Sequence, residues 1–460
     1  MQFINKTIAV LGLGQEGIDL ILWLTKNTSN CQIIVFDQKE KSELKENLDQ
    51  IKSVKLAGYS FGKDCLKKDL TKFDIIFRSP GIHRLHPTLI KAGKQGVLIS
   101  SPTKLFFDLC PAKIIGVTGT KGKGTTTTLI HRILKQSGKT SYIAANIGKP
   151  TLQLLSKLKP SDYVCLELSS FQLQDLTKSP HIAVALNITS EHLDIHKDTQ
   201  EYRQAKQNIV AYQTKKDLAV INADYLVSKD FAKKTKAQIY YFSRKQSTNG
   251  CFVKHKQIIL NINNKNQLIG DTDKLLLRGQ HNWENITAAI TAAKLAGASL
   301  SAIKNSVFTF KGLEHRLELV REISGKKFYN DSFSSTPETA IAAIQSFTEP
   351  TTIILGGSDK GSNYTQLGKV IVRAKNLATI ILIGDMADQI RSAIDRAGVF
   401  KGTIIDKDVD TIEKIVTQAF NVTKAGGVIV LSPACASFDM FSNYKDRGNQ
   451  FKKVVKSLNA

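Results

Sequence analysis

The sequence predicts an α/β protein built on mainly parallel sheets, and three features of its 460 residues carry that reading. Short runs rich in Val, Ile and Leu alternate with amphipathic stretches of helical period, the pattern of strands joined by crossover helices. Glycine-rich turns stand where an apolar strand hands over to a helix, at Gly12-x-Gly14-x-x-Gly17 and again between Gly116 and Thr128. The length exceeds what one hydrophobic core organises, so two or three domains are expected.

Composition narrows the class. A hydrophobic fraction of 42% with mixed charge describes an ordinary globular protein. No apolar run approaches the ~20 residues of a membrane helix, so no membrane partner is expected. The opening stretch from Met1 to Gly14 runs straight into a structural glycine motif and has no cleavable signal character. Cys31, Cys65, Cys110, Cys165, Cys251 and Cys435 are scattered and form no CxxC pair. Reduced thiols and a cytoplasmic location fit that spacing, and neither a zinc site nor a disulfide framework does. The net charge of +24 raises the question of nucleic acid. The lysines, however, are spread along the chain, as on a solvated surface with some attraction for phosphorylated substrates. No nucleic-acid partner is expected.

The first strand, Thr7 to Leu11, meets Gly12-x-Gly14-x-x-Gly17, and a helix follows. The next strand, "CQIIVFD", ends in Asp37. This is the form of a dinucleotide fingerprint: a tight turn, close backbone approach to a pyrophosphate, and a helix N-terminus facing the anion. Any nucleotide diphosphate satisfies the same geometry, and so does a tight turn with no ligand. Further on, "FDIIFRSPGI" carries a strand into the turn Ser79-Pro80-Gly81.

A second system opens at "AKIIGVTGTKGKGTTTTLIHRILKQSG". Strand, glycine loop and helix are the context of a phosphate loop, with backbone N–H groups cradling oxygens and Lys123 adding a point charge. One position departs from the pattern. Such loops follow Gly-Lys directly with a Ser or Thr that ligates Mg²⁺, whereas Gly124 follows Lys123 here and the first hydroxyl is Thr125. Either Thr125 takes that role after a local shift or water does, and Thr125 is favoured because the displaced hydroxyl run otherwise has no purpose. Glu167 closes the strand of "DYVCLELSS", and Asn187, Glu191 and His192 follow that of "HIAVALNITSEHLDIH". Carboxyl ends of strands beside a phosphate loop are where ligands collect, and Mg²⁺ wants a carboxylate with substrate oxygens. By spacing alone Lys206, in "YRQAKQNIV", reads as helix surface.

A third system runs from about Leu313 to the end, its strands "KKFYNDS", "TTIILGGSDKG", "ATIILIGD" and "GGVIVLSPACASFDMF" each closing in small polar or charged residues. Ahead of it, Asn282 and Asn285 stand at the start of an Ala-rich helix, where Asn commonly caps. Arg316 sits at the boundary as a structural ion pair or a phosphate clamp.

These segments, in this order, resemble the Mur ligases of peptidoglycan synthesis. The resemblance rests on "TGTKGKGTT", "NIG", "LELSSFQL", "LNITSEHLD", "YRQAKQNI", "GQHNWENITAA", "EHRLE", "NDS", "GGSDKG" and "SPACASFDMFSNYKDRGNQF", and spans essentially the whole chain. The last segment looks most like the member that joins D-glutamate to UDP-N-acetylmuramoyl-L-alanine. The family implies a Rossmann-like UDP-sugar domain (1–101), a central ATPase domain (102–313) and a Rossmann-like C-terminal domain admitting the amino acid (314–460). It implies a monomer acting through an acyl phosphate and a tetrahedral intermediate, with ATP and two Mg²⁺ ions. By resemblance, Gly14, Gln15, Glu16, Asp37, Gln38, Ser79 and Gly81 serve the UDP group, and Asn146 the sugar substrate near its reacting carboxyl. Gly119, Thr120, Lys121, Gly122, Lys123, Gly124, Thr125 and Thr126 hold ATP, joined by Asn282 and Asn285 on the adenine side and by Arg316 and Asp331. Glu167, His192 and Lys206 serve the metals, Lys206 as a carbamate. Lys360, Ser335, Ser437 and Tyr444 take glutamate. Phe333 departs from the family, whose better-known members carry a lysine there. Three other readings stand beside this one: a relative adding L-glutamate, an NAD-dependent oxidoreductase, and a nucleic-acid-stimulated ATPase.

Overall fold

The computed structural model describes residues 3–144, 151–189, 198–406 and 411–459. By contact the chain forms two compact units, Met1–Thr272 with Glu284–Val307, and Asp273–Trp283 with Phe308–Ala460.

In the first unit the amino-terminal sheet has five parallel strands in the order Gly58–Phe61, Gln32–Asp37, Thr7–Leu11, Ile75–Arg78, Leu98–Ser100. Ile8, Ala9, Val10 and Leu11 are buried to within 1% of full burial, as expected of a central strand covered on both faces. Leu11 pairs with Phe36 on one side and Arg78 on the other. The register therefore aligns the glycine turn, Asp37 and Ser79 at one edge, where crossovers leave the first strand in opposite directions and ligands commonly bind.

A second parallel sheet of six strands follows, in the order Gln238–Phe242, Leu218–Asn222, Ile182–Ala185, Lys113–Thr118, Tyr163–Glu167, Ser141–Ala144. Its first strand in the chain, Lys113–Thr118, again lies at the reversal. Val117 pairs with Glu167 and Thr118 with Ala185, which brings the end of Glu167's strand, the glycine loop and the segment after Ala185 to one edge. A small antiparallel sheet, Cys251–Lys254, Gln257–Ile262 and Lys265–Asp271, completes the unit. Its second hairpin turns on Asn263 and Asn264, both left-handed, the residues that tolerate such a turn best after glycine.

The second unit holds a sheet in the order Glu318–Ile323, Lys326–Asn330, Val428–Leu431, Thr351–Gly356, Leu377–Ile383, Thr403–Ile405, antiparallel only at its first pair. Apolar clusters on its two faces include Leu355, Leu367 and Ile390 in one, and Ile354, Val416 and Phe451 in the other. The preceding segment Asp273–Trp283 also packs within this unit. Its Arg278 pairs with Glu349 at 3.1 Å and lies over the rings of Tyr329 and Phe347, each at 6.0 Å.

Candidate active site

The glycine loop passes from strand to helix at Gly122, whose φ of 87° serves as the left-handed N-cap of the helix Lys123–Gln136. A side chain at this position is excluded twice over, since a Cβ would also lie 2.1 Å from Asn285 Oδ1. Thr126 N–H makes the first bond of the helix, to Gly122 O at 3.0 Å, so the amides before it face out of the helix end as a phosphate cradle requires. Lys123 Nζ folds back on the loop, donating to Gly119 O and Thr120 O at 3.0 Å each. Lys121 is exposed, while Gly119 and Thr120 are buried. Thr120 pins the neighbouring strand end: its N–H donates to Asn187 O at 2.7 Å and its Oγ1 accepts from Thr189 N–H at 2.8 Å.

The hydroxyls that follow have separate fates. Thr126 Oγ1 donates to Asn285 Oδ1 at 3.4 Å, and Thr127 Oγ1 to Lys123 O at 2.8 Å. Thr125 is 6% exposed, and its hydroxyl has no hydrogen bond among the described residues.

Lys206, which spacing reads as helix surface, is only 2% exposed. Its Nζ donates to Thr118 Oγ1 at 3.3 Å and Gly119 O at 3.0 Å, and lies 4.8 Å from the centroid of the Tyr202 ring. Glu167 is 8% exposed, at the end of the strand paired to that of Thr118. Asn187 Oδ1, on the residue whose carbonyl holds Thr120, is buried without a hydrogen-bond partner among the described residues. The Glu167 carboxylate and the Asn187 amide oxygen are oxygen donors of the kind Mg²⁺ takes beside substrate phosphates, and the buried Lys206 amine stands at the same loop. His192 and Asn146 lie outside the described residues. Among the described residues no three His, Cys, Asp or Glu side chains form a metal cluster.

At the first sheet's edge Gly12 takes a φ of 98°, and a Cβ there would lie 2.3 Å from Ser79 Oγ. Around Gly14 and Gly81 nothing lies within 4 Å of a Cβ position, and Gln15 and Gln38 are exposed, which leaves an accessible rim for a nucleotide. Asp37 accepts from Leu13 N–H at 2.7 Å on one oxygen and from Lys39 N–H at 2.9 Å on the other, bracing the turn. Glu16 meets the short helix Ser170–Leu173 that follows Glu167's strand: its Oε1 accepts from Gln172 Nε2 at 2.7 Å, Oε2 is buried without a partner among the described residues, and burial pushes its carboxyl up to about 7. Sequence reasoning missed Arg78, the residue before Ser79. It is fully buried, pairs with Asp175, and donates to the carbonyls of Ser79 and Phe171 at 3.3 Å.

In the second unit, adjacent strand ends gather the residues expected to take glutamate. Ser358 N–H donates to Ala436 O at 3.1 Å, and Phe438 N–H to Ser358 Oγ at 3.0 Å, tying the Lys360 loop to the segment of Ser437. Lys360 is exposed with no ion pair among the described residues, Ser335 is half-buried and Ser437 is buried. Arg447, also missed, is buried and organises this edge through bonds to Ser332 Oγ and the carbonyls of Ser332, Cys435 and Ala436. Its guanidinium has no carboxylate among these bonds, and burial lowers its pKa to about 10. Asp331 is turned to structural use: Oδ1 accepts from Leu317 N–H at 3.1 Å and Oδ2 from Ser432 Oγ at 2.8 Å. Burial pushes its carboxyl up to about 7. Asn282, 5% exposed, donates to Arg278 O at 2.6 Å near the start of the helix His281–Leu295.

Three family models match the chain in order: the Mur ligase MurD-like N-terminal domain over residues 6–101, the Mur ligase middle domain over 117–293, and the Mur ligase glutamate ligase domain over 315–435. A UDP-N-acetylmuramoylalanine–D-glutamate ligase of Acetivibrio thermocellus is 41% identical over 99% of this chain and 97% of its own. One of the same name from Clostridium tetani is 37% identical, again over 99% and 97%. Among solved structures, a UDP-N-acetylmuramate–alanine ligase from Thermotoga maritima superposes with a TM-score of 0.58 at 16% identity, covering 98% of this chain and 99% of that one. A MurF ligase from Thermotoga maritima in complex with ADP gives 0.58 at 16% identity, covering 92% and 95%. At such identity these structures speak for the fold.

Proposed function

The chain belongs to the Mur ligase family, and from that premise we propose that it joins D-glutamate to UDP-N-acetylmuramoyl-L-alanine with ATP as the activating co-substrate. The observation that carries this is the continuity of the identity with D-glutamate ligases, 41% over 99% of the chain, which runs through the amino-acid end as well as the nucleotide end.

The chemistry asks for what these residues offer. A carboxylate does not acylate an amine directly, so its oxygen first takes the terminal phosphoryl group of ATP, with release of ADP. The amine of glutamate then adds to the acyl carbon, loses a proton, and the tetrahedral adduct expels phosphate to leave the amide. Both steps gather negative charge on oxygens, so positioning and cationic stabilisation dominate. The outward amides at the helix start and Lys123 would orient the phosphates. Thr125, Glu167, Lys206 and, by resemblance, His192 would hold Mg²⁺, which supplies charge neutralisation at phosphate oxygens. Among the three hydroxyls of Thr125, Thr126 and Thr127, the Thr125 group alone has no hydrogen bond among the described residues, which supports it over water.

Carbamylation of Lys206 requires a neutral amine, and burial to 2% exposure favours that form. The carbamate would add two acceptor oxygens to a side chain that keeps one N–H on Nζ. Lys360 would pair with a glutamate carboxylate, with Ser335, Ser437 and Tyr444 beside it. For the UDP group the open rim at Gly14, Gln15, Gln38 and Gly81 supports binding. The three-domain division and action as a cytoplasmic monomer belong to the same proposal.

Phosphate release from ATP should require both UDP-N-acetylmuramoyl-L-alanine and an amino acid, with D-glutamate preferred over L-glutamate and all others. Equal release without the sugar nucleotide removes the ligase reading, and preference for L-glutamate redirects it to the relative of opposite stereochemistry. An intact-mass increment of one CO₂ on native Lys206 tests the carbamate.

A further inference from the structure

The turn around Arg316 is held in a costly shape. His315 and Leu317, on either side, have φ of 62° and 46°. Neither is a glycine, and left-handed backbone at such residues costs of order 1 kcal/mol or more unless surrounding contacts over-determine it. They do. His315 N–H donates to Glu318 Oε2 at 2.9 Å and its Nδ1 meets Asn330 Nδ2 at 2.9 Å. Leu317 N–H reaches Asp331 at 3.1 Å, and Phe333 N–H donates to His315 O at 3.0 Å.

The same Phe333 extends its ring under the residue so presented, with the Arg316 guanidinium carbon 3.9 Å from the ring centroid. Tyr444 meets that ring edge-on, at 5.1 Å and 89°. Tyr444 also meets the His315 ring at 6.0 Å and 88°, so turn, platform and Tyr444 form one block. Phe333 is 40% exposed. An exposed phenyl gains little from folding by itself, but a guanidinium lying over its face is held in place by the ring's quadrupole, which limits the positions its N–H groups can take. That is a preset fork for anionic oxygens.

We propose that Phe333 is a positioning residue whose ring holds the Arg316 guanidinium ready for an anionic oxygen group of a substrate, either a phosphate of ATP or a carboxylate of the incoming amino acid. The choice of these two substrates rests on the ligase reading; the role of the ring does not.

The test uses the full chain with Phe333→Leu, Phe333→Tyr, Arg316→Ala and the double variant Phe333→Leu/Arg316→Ala, with Phe333→Met as a second non-aromatic replacement. Calorimetric titrations with ATP and with D-glutamate are read beside KM and kcat for phosphate release. Phe333→Leu should weaken one of the two anions by more than about twofold and up to about thirtyfold, the span of a lost cation–π contact. Phe333→Tyr should stay within about twofold of wild type, because it keeps the face that Arg316 uses. In the double variant the loss should be no larger than in Arg316→Ala alone, since the ring acts through that arginine. A change confined to ATP assigns the phosphate, and one confined to glutamate assigns the carboxylate. Unchanged constants in Phe333→Leu and Phe333→Met overturn the proposal, as do losses that add in the double variant or a tyrosine as harmful as leucine. If the wild-type chain releases no phosphate with D-glutamate, the ligase reading fails, and the two titrations still decide the role of the ring.

Discussion

Thr125, Thr126 and Thr127 share a side chain and differ in what their hydroxyls meet. Thr126 and Thr127 are bonded to Asn285 and to Lys123 O, whereas Thr125 has no hydroxyl partner among the described residues. Thr125→Val should therefore lower kcat by about a hundredfold or more and raise the Mg²⁺ requirement, an oxyanion- or metal-stabilising group being worth ~3 kcal/mol. Unfolding stability should change by less than about 1 kcal/mol, because no protein hydrogen bond is lost. Thr126→Val should cost stability first, through the lost hydrogen bond from the buried Thr126 hydroxyl to Asn285. A harmless Thr125→Val with a Gly124→Ser that tightens Mg²⁺ would show that water fills the place. Asp331 allows a second test at this scale. Its carboxyl moves from 3.8 to about 7 on folding, so between about pH 4 and 7 the unfolded chain releases the proton first. Stability from this group is present below pH 4 and lost as pH rises through 7, by on the order of 2–4 kcal/mol. Urea unfolding at pH 4.5 and 7 should show a smaller pH slope for Asp331→Asn than for wild type. Equal slopes would mean that Asp331 titrates normally. Glu16, also raised to about 7, titrates in both proteins and cancels in that difference.

At the scale of elements, glycines in one motif do unlike things. Gly17 lies so close to the first turn that a Cβ would sit 2.0 Å from Gly12 O, while at Gly14 a Cβ meets nothing within 4 Å. Gly17→Ala should destabilise the protein by about 2–4 kcal/mol, because strand and helix must separate. Gly14→Ala should leave stability within about 0.5 kcal/mol, as surface substitutions do. It should raise KM for the UDP-sugar if backbone meets nucleotide there. Thermal melts and sugar-nucleotide kinetics of the two variants separate folding from binding, and similar effects on both would refute the division. The closing motif yields to the same kind of argument. Arg447 bonds the ends of two strands together, and Gly448 admits His315, whose Nδ1 would lie 2.2 Å from a Cβ. The pair reads in the sequence as a signature, but its reason is a close approach between residues far apart in the chain.

For the molecule as a whole, the charge of +24 invites a polyanion. DNA or RNA should bind only weakly and lose affinity steeply with salt, as dispersed lysines do. ATP turnover in the presence of substrates should not rise with either nucleic acid. Stimulation that survives 200 mM salt would contradict a ligase with a merely basic surface. What the sequence alone determined is the repeated handover from apolar strand to glycine turn to helix, and with it the parallel sheets and the phosphate loop. These follow from local rules, namely periodicity, turn chemistry and the N–H groups of a helix start, all legible within about twenty residues. Lys206 marks the boundary of that legibility. Its neighbours give a polar helix, and only the packing of that helix against Thr118 and Gly119 buries the amine at the loop. The presentation of Arg316 on Phe333, the turning of Asp331 inward and the bracing by Arg78 and Arg447 were likewise decided by tertiary structure. Burial, desolvation and stacking depend on which distant segments meet, and no local pattern of side chains encodes that meeting.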